Sequence, residues 1–242
     1  MRKNLIAGVL CLGLFSSTAF ASSVNLPTGI KSQEGLGLGN NLPVGISAGY
    51  LYDHVDKREL NKDAGKVNFD MMGGKITATL FNTVDIYTML GSMQNTEYKA
   101  SVSKSDYIFS LGDNFMWGLG ASAIIHEWKD AGIQIFGDGN YREDRNIGVD
   151  SATVNGAPAT LTGTISAKWQ EWQVALGISK KFQYFIPYLG VKYSDIKASA
   201  QATVSGTTYN SGSVSSKGKV GPFVGVSIIP TKWLSVDVTG RR

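Results

Sequence analysis

The chain has 242 residues, 43% of them hydrophobic and 17% charged, with 23 Lys and Arg against 19 Asp and Glu. The charges are interspersed without a basic stripe, which argues against a nucleic acid partner. One Cys and two His leave no disulfide framework and no clustered metal-ligand set.

The first 21 residues read as an export signal. Met1-Arg2-Lys3-Asn4 is a basic start, and Leu5 to Phe15 is an apolar run too short to span a bilayer as a helix. Ala19-Phe20-Ala21 is a small-x-small site, so cleavage is expected between Ala21 and Ser22. Cys11 leaves with this segment, and Leu10 before it is not the small residue of a lipoprotein signal. Removing 21 of 242 residues leaves 221, with no cysteine and, without Arg2 and Lys3, 21 basic residues against 19 acidic. Stability in an oxidising compartment must then come from something other than disulfides. Residues 22–41 read as a periplasmic lead-in that could tuck into the mouth of the following domain. Its Gly35 to Asn40 stretch, GLGLGN, has no strand before it and no helix after it, so it is not a phosphate loop.

From residue 42 the apolar residues alternate, the period of a strand with one oily face. Nine segments follow in turn: VGISAGYLY from Val44, MGGKITATL from Met72, VDIYTMLG from Val84, FMWGLGASAIIH from Phe115, IQIFGDGNYR from Ile133, EWQVALGISKK from Glu171, IPYLGVKYS from Ile186, VGPFVGVSII from Val220 and KWLSVDVTGRR from Lys232. Val67 and Phe69 fall out of phase with Ile76, Ala78 and Leu80, which suggests a bulge at Gly73-Gly74. Where delimited, the segments run about 9–11 residues, enough to cross a bilayer at a tilt. Their second face carries Gly, Ser and Thr with scattered charges, unlike the solvent face of a soluble sandwich and suited to a narrow barrel interior.

The connections alternate strictly. Short ones fall at 81–83, 128–132, 181–186 and 230–232; long ones at 55–66, 94–114, 143–169 and 195–219. This is the rhythm of an up-and-down transmembrane barrel with tight periplasmic turns and longer surface loops. Each short connection carries aromatics, and Phe81, Trp128, Phe182, Tyr184, Phe185 and Trp233 are expected to form a periplasmic girdle. Tyr50, Tyr52, Trp117, Trp172 and Tyr193 could supply the opposite ring. Parity places Lys75, Asp85, Asp138, Arg142, Gln173, Lys192, Asp237 and Arg241 on the inner face.

On the Ala-x-Ala signal, segments such as FMWGLGASA and GPFVGVSII, and the strand-and-loop rhythm, the chain resembles the small bacterial outer-membrane β-barrel proteins, porin-like and surface-antigen-like. The resemblance implies an antiparallel barrel with an even number of strands, closed by a last strand that ends on an aromatic residue. Nine strands and a terminal Arg241-Arg242 depart from that pattern. A barrel of ten strands, or eight, is therefore expected over residues 42–242, with a closing strand beyond Arg242.

Little points to catalysis. His54 with Asp53 and Asp56 near the outer rim suggests the acid–His sites of barrel proteases, but lacks a second acidic pair and reads better as a solvated strand end. His126 is followed by Glu127 and Trp128, not by the Ser pattern of a barrel deacylase, and reads as an interface residue. No catalytic, metal or cofactor-binding residue is assigned. The expected function is non-enzymatic: narrow porin-like passive diffusion, or a structural or adhesive role at the cell surface. The alternatives are a membrane-embedded hydrolase and a soluble ligand-binding barrel. Expected partners are outer-membrane lipid, the barrel assembly machinery, and small solutes or surface ligands at the long loops, with the protein a monomer.

Overall fold

The computed structural model describes Val24 and residues 44–61, 64–102, 105–160, 164–204, 207–231 and 234–241. They form a single antiparallel sheet of twelve strands: β1 (Val44–Glu59), β2 (Lys66–Leu80), β3 (Val84–Val102), β4 (Ser105–Leu111), β5 (Asn114–Trp128), β6 (Ile133–Val154), β7 (Ala157–Ala159), β8 (Thr164–Lys180), β9 (Phe185–Val204), β10 (Thr207–Ser215), β11 (Val220–Thr231) and β12 (Leu234–Arg241). Nine of the strands run as a meander, β1-β2-β3-β5-β6-β8-β9-β11-β12, each corresponding to one alternating segment of the sequence. No helix among the described residues is long and apolar enough to cross a membrane, so any crossing falls to the strands.

The apolar face points outward. On β8, Val174, Leu176 and Ile178 are 50%, 52% and 42% exposed, whereas Gln173, Ala175 and Ser179 between them are buried. Ile76, Ile86, Leu119, Leu189 and Val191 repeat the pattern on the other strands. A soluble ligand-binding barrel would show the reverse, with its oily face inside.

The inner face is rich in glycine because rings lie flat on it. A methyl group at Gly120 would meet the Tyr87 ring at 2.3 Å, one at Gly225 would meet Tyr188 at 2.4 Å, and one at Gly177 would meet Phe136 at 2.6 Å. Each large inward ring thus has a bare stretch of neighbouring strand to cover, as close packing in a narrow barrel requires.

Two expectations are corrected. Ladder pairing runs without a break through Gly73 and Gly74, from Met71 to Leu80 on β2, so no bulge resets the phase there. Val67, Phe69 and Met71 are buried on the inner face, because the barrel interior is apolar at that level. The long connections are also largely β-structure. β3, β6 and β9 run for 19, 22 and 20 residues and fold back as β4, β7 and β10. Asn155-Gly156, both at positive φ (50° and 80°), turns β6 into β7, the residue pair that a type I′ hairpin favours.

At the other end the turns are tight. Phe81 and Asn82 both adopt left-handed backbone (φ 52° and 56°), and the Thr83 amide donates to the Leu80 carbonyl at 3.0 Å. β1 and β12 both start at this end and so run in the same direction. They approach each other, but no ladder joins them among the described residues.

Leu176→Arg should cost roughly 2–4 kcal/mol if this face meets mid-bilayer lipid. Urea unfolding in liposomes reads the loss; an unchanged transition would place Leu176 away from lipid.

Candidate functional site

Inward-pointing polar side chains converge on a charged layer across the lumen. Arg142 of β6 is fully buried. It donates to Glu171 of β8 through Nε at 2.8 Å and Nη2 at 2.6 Å, and through Nη1 to Asp53 of β1 at 3.1 Å. β1 and β6 are not neighbours in the sheet, so this ion pair spans the interior. Ser194 of β9 donates to Glu171 Oε1 at 2.7 Å, and Arg58 Nη2 donates to Ser194 Oγ at 3.2 Å. Burying these charges is costly, and each guanidinium or carboxylate is tolerated only because a neighbour answers it.

One level toward the short turns lies a second polar group. Tyr87 donates to Asp138 Oδ1 at 2.7 Å, while the Asn140 and Gln173 side chains donate to Asp138 Oδ2, both at 3.3 Å. Lys75 lies 5.7 Å over the Tyr87 ring, and Thr79 donates to the buried Asp85 at 2.6 Å. Lys192 is buried on the same face of β9. Asp237 and Arg241 pair through the backbone with Ser227 and Phe223; their side chains lie outside the described ones.

Apolar layers cap both groups. Toward the long hairpins sit Phe69, Met71, Met93, Met116, Ile147 and Trp169, with the Phe69 and Trp169 rings edge-on at 5.0 Å. Toward the short turns sit Phe136, Ile186, Tyr188 and Phe223, joined by Val24 of the lead-in segment. Among the described residues the interior is therefore filled by side chains in layers.

The outer surface is banded. Phe81, Trp128, Phe182, Tyr184 and Phe185 are all exposed at the short-turn end, with Phe182 stacked on Phe185 at 4.7 Å. Trp233 lies outside the described residues. At the other edge of the apolar band, Trp117 meets Tyr141 at 5.8 Å and Trp172 meets Tyr193 at 5.0 Å. Above this upper ring, adjacent residues of β6 diverge. Glu143 faces outward and accepts from Arg145 at 2.7 Å and Lys168 at 3.1 Å, and chiefly the Arg145 contact draws its carboxyl down to about 2. Asp144 faces inward and accepts from Asn114 at 2.6 Å with no hydrogen-bond partner at Oδ2, and burial pushes its carboxyl up to about 6.

Asp53 and His54 do not gather into one rim site. Asp53 and His54 alternate on β1, so Asp53 points inward to Arg142 while His54 points outward. His54 Nδ1 lies 2.6 Å from Asp70 instead, and the Asp56 side chain lies outside the described ones. His126 is exposed near a short turn, edge-on to Trp128 at 4.4 Å. No three His, Cys, Asp or Glu side chains among the described residues could hold a metal.

Asp53, weighed in the sequence only beside His54, and Arg58, Glu171 and Ser194, given no role there, join the inner network. Glu171 and Ser194 share the parity of Gln173 and Lys192, so alternation alone could have found them. Arg58 could not be found that way, because a register shift between Val55 and Arg58 reverses the parity of β1.

An apolar-out antiparallel sheet, aromatic bands at both edges and a charged interior are the features of a membrane-spanning, barrel-like β-sheet. Residues 135–212 match the family model of the Chlamydia major outer membrane protein. Over 144 residues, 48% of the chain, the sequence is 26% identical to the major outer membrane porin of Chlamydia pneumoniae. That stretch spans 36% of the relative, so the chain aligns with about a third of its length. No solved structure matches the chain.

Two outcomes follow from the geometry. Arg142→Met removes the guanidinium that Asp53 and Glu171 share and should cost about 3–5 kcal/mol in urea unfolding. Adding Asp53→Asn should recover part of it; no recovery would mean that packing, not charge, is at stake. Asp144 ionises reluctantly in the folded state, so its charge costs stability above about pH 6 and nothing below its ordinary value of 3.8. Asp144→Asn should therefore stabilise by roughly 1–3 kcal/mol at pH 8 and leave stability unchanged at pH 3.5, as unfolding at the two pH values would read.

Proposed function

We propose that this barrel is a non-enzymatic, narrow path for passive diffusion of small hydrophilic solutes and ions across the outer membrane. The observation that carries this reading is the polar column on the inner face, from Asp138, Gln173 and Lys192 to Arg142 and Glu171. Rings of opposite charge in a low-dielectric lumen bias which ions enter, and side chains that fill the bore set its size. The porin name of the Chlamydia pneumoniae relative supports the same direction.

In this reading the Arg142 layer is the constriction, and the Phe69–Trp169 layer is a lid above it. Passage requires these side chains to swing aside, so conductance is small and intermittent. The aromatic residues at the short-turn end and the Trp117–Tyr141 and Trp172–Tyr193 pairs hold the barrel at the two membrane interfaces. Its assembly in the membrane would use the cell's barrel assembly machinery.

One observation favours a second reading. Apolar layers cap the polar column on both sides, which suits a rigid barrel whose role lies in the long surface hairpins. Single-channel recording in planar bilayers separates the two. The diffusion reading expects small discrete openings in the wild type and a several-fold larger conductance in Phe69→Ala/Trp169→Ala. A flat trace from both proteins would leave the surface role.

A further inference from the structure

Above the Trp172–Tyr141 ring, the outer faces of β6, β8, β9 and β10 carry two successive rungs of polar side chains. Cross-strand pairing sets Arg145 opposite Lys168 and Lys168 opposite Ser199 in the first rung. It sets Ser166 opposite Gln201 and Gln201 opposite Asn210 in the second. All six side chains line one pocket of about 370 Å³. The outer wall of a barrel is ordinarily convex. Two register shifts break that curve here, one between Arg145 and Ile147 and one between Asn210 and Ser213, each with a residue at positive φ (Asn146 at 64° and Gly212 at 72°).

The charges in the pocket are held in place. Glu143 accepts from Arg145 Nε at 2.7 Å and Nη2 at 2.9 Å, and from Lys168 at 3.1 Å, leaving two cations around one carboxylate. Lys197 lies in the rung below, registered with Gln170, and is exposed. The site is thus net positive, and beyond its cations it is lined by the hydroxyl and amide groups of Ser166, Ser199, Gln201 and Asn210 together with Ala167 and Ala200.

Its position identifies the occupant. Below it run the aromatic ring and then the lipid-facing strip of Val174, Leu176, Val191 and Leu189. Arg145 stands four residues beyond Tyr141, so the pocket lies roughly 10 Å above that ring for a tilted strand. The polar layer of an ordinary phospholipid leaflet is only roughly 5–8 Å deep. A ligand reaching this pocket from the membrane must carry acyl chains, an anionic group at the cation rung, and further polar depth at the Ser–Gln–Asn rung. We propose that this pocket binds the headgroup of a phosphorylated glycolipid of the outer leaflet, with phosphate on Arg145 and Lys168 and sugar hydroxyls on Ser166, Ser199, Gln201 and Asn210. The site rests on the outer-membrane reading, but it lies outside the lumen and does not depend on solute passage.

Native mass spectrometry of the detergent-purified full chain tests it with four probes: a diphosphorylated acylated disaccharide, the same glycolipid without phosphates, phosphatidylglycerol and inorganic phosphate. The phosphorylated glycolipid should be retained above the other three. Arg145→Gln/Lys168→Gln should weaken that retention by about tenfold or more, the loss of two surface cations. Arg145→Lys/Lys168→Arg should keep it, and Lys219→Gln serves as a remote control. Heat-modified gel mobility verifies that each variant is folded, and unchanged single-channel behaviour in the double Gln variant separates this site from the pore. Equal retention of phosphatidylglycerol, displacement by inorganic phosphate alone, or undiminished binding in the folded double Gln variant would overturn the proposal.

Discussion

The bilayer's inability to satisfy a backbone amide governs this molecule. An unpaired N–H or C=O in hydrocarbon costs several kcal/mol, so every spanning segment must pair on both sides. A strand can do that while spending only half its side chains on lipid. The strict alternation of β8, with Trp172, Val174, Leu176 and Ile178 outside and Glu171, Gln173, Ala175 and Ser179 inside, is that constraint written into sequence. It also explains a chain of ordinary hydropathy and few cysteines. Its oily face has lipid to meet and needs neither a large apolar core nor disulfides.

A small barrel then imposes a volume limit on its interior. Glycines at 120, 177 and 225 clear wall space for Tyr87, Phe136 and Tyr188. The room left is taken by ion pairs at mid-height and by Met and aromatic layers above and below. Arg142 can be buried because Glu171 and Asp53 approach it from two walls. Asp144, one turn of the pleat higher, is paired with no cation among the described residues, and burial holds its proton to about pH 6. On the opposite face Glu143, between Arg145 and Lys168, gives up its proton readily. Adjacent carboxylates thus differ by which side of the wall they face.

Much of the fold was legible because a period of two is a local signal. The nine strands of the meander, their tight turns and the apolar outer face all follow from alternation and from Gly, Asn and aromatic punctuation. What alternation could not reach depends on distance in the chain. The Asp53–Arg142 pair joins residues 89 apart and exists only once the sheet curls. Arg58 points inward only because a register shift intervenes. The phase of Val67 and Phe69 suggested a bulge because an oily inner face was not anticipated, yet the interior is apolar at that height. Segments rich in Ser, Thr and Ala read as surface loops, although Asn155-Gly156 and the flanking Thr and Val residues mark a hairpin. The Arg145–Asn210 pocket was illegible because it needs four strands and two register shifts.

The arrangement rests on one face of each strand meeting lipid while the other is sealed inside the wall. Spin labels placed singly at residues 172 to 179 of β8 in a reconstituted bilayer report this directly. Labels at 172, 174, 176 and 178 should collide readily with oxygen and poorly with a water-soluble nickel chelate. Labels at 173, 175, 177 and 179 should meet neither reagent freely. A strong chelate signal at 174 and 176, with oxygen access shifted to 173 and 175, would reverse the faces and contradict the barrel described.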